Sequence, residues 1–320
     1  MTNDSSSRLA IVFPGQGSQA PGMGKDLAEN SAVAREVFEE ADDALGFAIS
    51  RLCFDGPAEE LQLTENTQPA ILTVSVAAFR AMREAGISAP AFVAGHSLGE
   101  YSALVAAGVL SLSDAVRTVR ARGRYMQEAV PVGTGAMAAV IGGELSEIQR
   151  VCEEARRHVI DGQICSVANM NSPAQVVIAG NSEAVDRAIE SLKGVAKRVI
   201  KLNVSAPFHC ALMKPAQDRL APDLGALTFN EPAMPVVTNA DARPTSAPNE
   251  LRDALVRQVS ATVRWSESME LLVQQGVDTF VEAGPGKVLT GLMRQISRDV
   301  KTLNVEDAAS LEATRVGLAA

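Results

Sequence analysis

The chain has 320 residues, 47 % hydrophobic, 21 % charged and only 4 % aromatic, enough for a large, mostly aliphatic core in one or two domains. Its net charge of −9 argues against a nucleic acid or an anionic membrane as partner, no apolar run approaches the ~20 residues of a membrane helix, and the polar start Met1–Arg8 lacks the apolar stretch of a signal peptide. Cys53, Cys152, Cys165 and Cys210 lie far apart with no C-x-x-C pair, the usage expected of a reducing, cytoplasmic protein without disulfides or structural zinc.

In chain order, Leu9–Phe13 predicts a strand, followed by the glycine loop Pro14-Gly-Gln-Gly-Ser-Gln19. A dinucleotide fingerprint fails there, because Ala20 stands where the third glycine belongs. Two readings stay open: a plain βα turn, or a loop whose backbone N–H groups face a substrate oxygen. Ala91–Gly95 predicts a buried strand and Leu98–Ala107 a helix, with the G-x-S-x-G element Gly95-His-Ser-Leu-Gly99 between them. Ser113–Glu128 reads as a helix and Val130–Gly135 as a linker. Then Ala136–Gly142, Ser146–His158, Ile164–Asn169, Gln175–Ala179, Glu183–Leu192 and Ala196–Leu202 follow the order βαββαβ, with a turn at Asn171-Ser-Pro173. That order is ferredoxin-like. It predicts a small domain over 133–203, inserted into a core made of 1–132 and 204–320. The α/β pattern resumes with a strand at Pro235–Asn239, a helix at Asn249–Val259 and a strand at Asp278–Glu282. The segment after Ala308 carries no motif.

Ser97 has two readings. On a tight strand-to-helix turn it is a nucleophile, with small neighbours that let the backbone bend and a helix whose free N–H groups meet an oxyanion; alternatively it only caps the helix. A nucleophile needs a base, and the chain has three histidines. His96 adjoins Ser97, where side chains diverge, so it lines the site. His158 ends a polar helix. His209 follows the inserted segment, at a junction where clefts form; the alternative is a buried histidine bonded to backbone. Cys210 has apolar neighbours and reads as inert. On the Ser113–Glu128 helix, Arg117, Arg120 and Arg124 share a wet face, while Arg122 projects toward Val119 and Met126. A buried guanidinium must be paired, and its fork fits a carboxylate, either of a protein acid or of a substrate. Together these groups suggest acyl transfer from an acid-bearing acyl donor.

FPGQGSQ (Phe13–Gln19), TQPA (Thr67–Ala70), GHSLGEYSALVAAG (Gly95–Gly108), the R-G-x-x-M element (Arg122–Met126), NSPAQVVIAG (Asn171–Gly180) and APFHCALM (Ala206–Met213) occur in that order. The set resembles the malonyl-CoA:acyl carrier protein transacylases of bacterial fatty-acid synthesis, over about residues 9–300. The resemblance implies an α/β-hydrolase-like core with a parallel sheet and a ferredoxin-like insertion. By motif, it makes Ser97 the nucleophile and His209 the base, and it gives the oxyanion hole to the backbone N–H groups of Gln16 and Leu98. Arg122 binds the malonyl carboxylate, and the backbone carbonyl of Gln258 orients His209. Gln68, a loop amide on the other reading, lines the site with His96 and Asn171. Phe208 before the base implies malonyl over methylmalonyl, although Pro207 departs from the usual pattern. The resemblance implies no metal or bound cofactor, malonyl-CoA and acyl carrier protein as partners, and a monomer. A basic carrier-docking surface would be either Arg117, Arg120 and Arg124 or Lys193, Lys197, Arg198 and Lys201. The rivals are a stand-alone polyketide acyltransferase, a serine thioesterase or other hydrolase, and a non-catalytic scaffold.

Overall fold

The computed structural model describes residues 8–157, 162–204 and 206–319. The strands are β1 (Leu9–Phe13), β2 (Phe92–Gly95), β3 (Gly135–Ile141), β4 (Cys165–Ser172), β5 (Gln175–Asn181), β6 (Arg198–Lys201), β7 (Val236–Thr238), β8 (Arg243–Thr245), β9 (Thr279–Ala283) and β10 (Lys301–Val305). The helices are α1 (Lys25–Asn30), α2 (Ala32–Leu45), α3 (Ile49–Asp55), α4 (Ala58–Leu61), α5 (Thr64–Glu84), α6 (Gly99–Ala106), α7 (Leu112–Glu128), α8 (Leu145–Arg157), α9 (Ser182–Leu192), α10 (Lys214–Gly225), α11 (Pro248–Gln258), α12 (Trp265–Gln274), α13 (Val288–Ile296) and α14 (Ala308–Ala319). Among the described residues, no helix is long and apolar enough to cross a membrane.

The larger sheet has the order β10-β9-β1-β2-β7-β8, parallel except for the β7–β8 pair. Its central strands LAIVF and FVAG are buried throughout, as parallel strands covered on both faces must be. Ile11 and Phe13 face the cluster built by α2, α5, α6, α7, α10 and α11. Ala10 and Val12 face the other side, against Trp265, Met269 and Leu272 of α12 and Leu289 of α13. The alternation is the period-2 side-chain register of a strand. The fold is α/β, as the sequence pattern predicts.

Residues 135–201 build the second sheet, of order β4-β5-β3-β6 with antiparallel neighbours. One face packs on α8 and α9 through Ala138, Val140, Ile148, Val151, Val185 and Ala188. The other face, with Met137, Ala168 and Val177, lies over Phe208, Cys210 and Leu212. β4 pairs with the loop between α11 and α12 along a short seam. The Val263 N–H donates to the Ala168 carbonyl and the Met170 N–H to the Val263 carbonyl, each at 2.9 Å, and Thr262 Oγ1 donates to the Val167 carbonyl at 2.7 Å.

Several sequence expectations are corrected. The hairpin turn is tighter than Asn171-Ser-Pro173, because Asn171 and Ser172 belong to β4 and Ser172 pairs with Gln175. Gln68 is not a loop amide; it lies within α5, whose residues around it are buried almost without exception. Gly135, assigned to the linker, begins β3. The motif-less segment after Ala308 is not corrected but filled in: it forms α14, whose Thr314 Oγ1 donates to the Asn304 carbonyl of β10. His158 lies outside the described residues.

Candidate active site

The C-terminal ends of adjacent parallel strands, where open α/β sheets place their ligands, carry the elements of one cleft. The glycine loop leaves β1 and the G-x-S-x-G turn leaves β2. At that turn Ser97 has φ 52°, a left-handed conformation that an L-residue holds only at a cost. The flanking glycines make it possible. A Cβ on Gly95 would sit 1.9 Å from the Gly99 carbonyl, and one on Gly99 would sit 2.2 Å from the Phe13 carbonyl oxygen. Gly15 presses the glycine loop onto the turn in the same way, since its Cβ would lie 2.5 Å from the His96 carbonyl oxygen.

Ser97 is no helix cap: its hydroxyl faces His209 and Arg122, and no side chain caps α6. Ser97 Oγ and His209 Nε2 are 2.7 Å apart. His209 Nδ1 lies 3.0 Å from the Gln258 carbonyl oxygen, which can only accept. Nδ1 therefore carries the proton, and Nε2 is free to accept from the serine hydroxyl. His209 is 4 % exposed and itself has φ 58°. Burial first, and the nearby Arg122 charge second, lower its pKa from the ordinary 6.5 to about 3, so the neutral base dominates at neutral pH.

Arg122 is 1 % exposed. Its Nη1 donates to Gln68 Oε1 at 2.7 Å, and its Nη2 donates to Gln258 Oε1 at 3.0 Å and to Ser97 Oγ at 3.2 Å. Its Nε is unpartnered among the described residues, and no protein carboxylate there forms an ion pair with it. Of the two readings open in the sequence, the pairing with a protein acid is absent among the described residues. A buried guanidinium held by two amide oxygens and the Ser97 hydroxyl, with no carboxylate partner among the described residues, can receive an incoming anion. Gly123 lets α7 approach this close to α5, because a Cβ there would lie 2.6 Å from the Thr64 carbonyl oxygen.

The remaining sequence candidates gather around these three. Gln68 Nε2 donates to Gln16 Oε1 at 3.2 Å. The main-chain N–H groups of Gln16 and Leu98 have no acceptor within the described residues. His96 Nε2 meets Asn171 Oδ1 of β4 at 2.8 Å, so the second sheet reaches the turn directly. Phe208 is partly buried beside the base. Cys210 is buried, its Sγ donates to the Pro207 carbonyl, and burial pushes its thiol up to about 11, which speaks against a nucleophilic role.

Sequence reasoning missed two residues. Asn239, at the end of β7, takes the Ser97 N–H on Oδ1 at 2.6 Å and donates Nδ2 to the Gly95 carbonyl at 2.7 Å. Glu100, 0 % exposed, accepts from the Asn239 N–H at 2.9 Å and from Gln258 Nε2 at 2.8 Å, both on Oε2. A lone acid in the apolar run Tyr101–Gly108 and its approach was the available signal; Asn239 had none.

Of the two basic clusters, Arg117 pairs with Asp114 and Arg120 stacks on Phe47 at 4.2 Å. Lys193 pairs with Glu190 and Lys201 with Asp186. Neighbouring groups of the chain thus engage part of both.

The family described as acyl transferase domain matches residues 10–315. The chain is 54 % identical over 291 residues to the Escherichia coli K12 protein named malonyl CoA-acyl carrier protein transacylase, covering 91 % of this chain and 93 % of that one. It is similar in structure to an acyl carrier protein S-malonyltransferase from Vibrio cholerae O1, with a TM-score of 0.93 and 50 % identity over 96 % of this chain and 100 % of that one. A further similar structure, at TM-score 0.94 and 49 % identity over 97 % and 100 %, comes from a complex of a type II polyketide acyl-carrier protein with its malonyl-transacylase.

Proposed function

This chain belongs to the acyl transferase domain family, and from that premise we propose that it transfers the malonyl group of malonyl-CoA to the phosphopantetheine thiol of acyl carrier protein, supplying fatty-acid synthesis. The observation that carries the acyl choice is the buried Arg122, without a carboxylate partner and 3.2 Å from Ser97 Oγ.

The reaction is ping-pong. Ser97 Oγ attacks the thioester carbonyl while His209 Nε2 takes its proton. The oxyanion rests on the Gln16 and Leu98 amides, and Arg122 holds the malonyl carboxylate. The C–S bond breaks, and the His209 proton goes to the departing coenzyme A sulfur. The carrier thiol then gives its proton to His209 and attacks the malonyl-serine. The C–O bond breaks and Ser97 recovers its proton. Every proton and electron pair is supplied by substrate, serine and histidine, so the reading calls for no metal or bound cofactor. The Gln258 carbonyl does the work of a third, orienting group, and Gln68, His96, Asn171 and Phe208 line the acyl site. We take residues 133–203 as a small domain on a core of 1–132 and 204–320, and the protein as a cytoplasmic monomer without nucleic-acid or membrane partners, in keeping with its net charge of −9. A carrier, itself acidic, would dock on one of the two basic clusters; reversing each charge set should raise the carrier KM for the true one alone.

The test is intact-protein mass spectrometry after mixing with malonyl-CoA, then with holo acyl carrier protein. A malonyl adduct on wild type but not on Ser97→Ala, passing to the carrier, is the expected result. An adduct lost to water with no malonyl-carrier would make the protein a hydrolase. The likeness to a transacylase bound to a polyketide carrier favours one second reading, a polyketide supply enzyme with the same chemistry. Comparing kcat/KM for a fatty-acid and a polyketide carrier separates the two.

A further inference from the structure

Behind the reacting groups lies a carboxylate to which the mechanism above gives no part. Glu100 sits in the first turn of α6 with no solvent exposure. Its Oε2 accepts the Asn239 N–H and Gln258 Nε2; its Oε1 has no partner among the described residues. Each of those two donors leads to a different part of the site. Asn239 fixes the strained turn, by Oδ1 on the Ser97 N–H and Nδ2 on the Gly95 carbonyl. Gln258 Nε2 also reaches the Ser97 carbonyl at 2.8 Å, its Oε1 accepts from Arg122, and its main-chain carbonyl holds His209.

The orientation of the Gln258 amide is fixed jointly by Glu100 and the Ser97 carbonyl at its NH2 end and by Arg122 at its oxygen. A carboxylate only accepts, so the amide must turn its NH2 toward Glu100, and its oxygen is then left facing Arg122. A flipped amide would present N–H groups to a guanidinium and an oxygen to a carboxylate, both repulsive. The charge matters as well as the hydrogen bonds. Arg122 has no ion-pair partner, yet the fields of Glu100 and Arg122 stabilise each other's charged form. Against that attraction, burial pushes the Glu100 carboxyl up to about 7.

We propose that Glu100 is a positioning residue for the transfer reaction: one buried carboxyl group holds the nucleophile turn through Asn239, helps hold the Arg122 acceptor through Gln258, and in its ionised form supplies a counter-charge to Arg122 when the acyl site is empty. An incoming malonyl carboxylate takes over that last role, whereas an acetyl group cannot. The inference rests on the malonyl-transfer reading.

Glu100→Asp and Glu100→Gln in the full chain test it, with malonyl-CoA and acetyl-CoA as donors, Tm as the fold control, and wild-type malonyl-Ser97 formation as the check on the underlying reading. Asp keeps the charge but is one methylene short of its two donors. It should lower kcat about tenfold or more for both donors at near wild-type KM, since ångström-scale misplacement is that costly. Gln keeps an acceptor oxygen but removes the charge, so its malonyl-to-acetyl kcat/KM ratio should rise several-fold. Should Asp fail to fold, the Gln ratio still decides. Wild-type kinetics in both variants overturn the proposal. So does a loss of rate that merely follows Tm with the malonyl-to-acetyl ratio unchanged, because that marks a structural residue. If wild type forms no malonyl-serine, it is the transfer reading that falls.

Discussion

At the scale of single residues, acyl choice and base strength both turn on Arg122. Its guanidinium stands 3.2 Å from Ser97 Oγ, and on the proposed reading it would make a charge-assisted contact to a malonyl carboxylate that acetyl lacks. Arg122→Ala should therefore cost malonyl loading about 3 kcal/mol, roughly 100-fold in kcat/KM, while acetyl loading is retained or improved. Loss of equal size with both donors would remove the carboxylate role. The same charge acts on the base. His209 is held at about 3 by burial and by Arg122, so the acid limb of wild-type acetyl loading should lie well below pH 6.5. In Arg122→Ala the positive neighbour is gone, imidazolium is less disfavoured, and the limb should move up in pH; a pH–rate profile of both proteins measures this. The depressed pKa also has a stability consequence. Unfolded His209 binds a proton below about 6.5 and folded His209 does not, so its contribution is intact above that pH and declines as pH falls toward 3.

At the scale of elements, the site depends on close backbone approaches that only glycine allows. α6 leaves β2 through a turn whose two glycines meet other backbone within 2.2 Å of where a Cβ would stand. The strand-turn-helix order and the G-x-S-x-G spacing made this turn legible in the sequence. The α5–α7 contact was not legible. A methyl group at Gly123 would meet the Thr64 carbonyl at 2.6 Å and push apart the helices carrying Gln68 and Arg122. Gly123→Ala should cost about 1–3 kcal/mol, read as a lower Tm. It should also lower malonyl kcat/KM more than acetyl, because Arg122 moves with the helix. An unchanged ratio would mean that α7 relaxes elsewhere.

At the scale of the whole molecule, the second sheet meets the α11–α12 loop close to the Gln258 carbonyl that holds His209. The seam at Val263 lies five residues beyond Gln258, whose carbonyl holds His209, and β4 is the edge strand that supplies the other side. Met170→Pro removes one N–H from the seam and none from the β4–β5 ladder's other residues. Folding should survive, with kcat lowered about three- to tenfold for both donors and acyl selectivity unchanged; rates at wild-type level would show that the seam does not steady the base. The sequence by itself determined the α/β class and the strand ends that bear the loops, and it singled out Ser97, His209 and Arg122 as candidate site residues, because strand periodicity, turn chemistry and the scarcity of histidine are local properties of the chain. The turn at Asn171, the membership of Gln68 in a helix, and the roles of Asn239 and Glu100 were decided only by the tertiary structure. The contacts of Glu100 span more than a hundred residues, to Asn239 and to Gln258. No local pattern encodes which distant donor a buried carboxylate will meet.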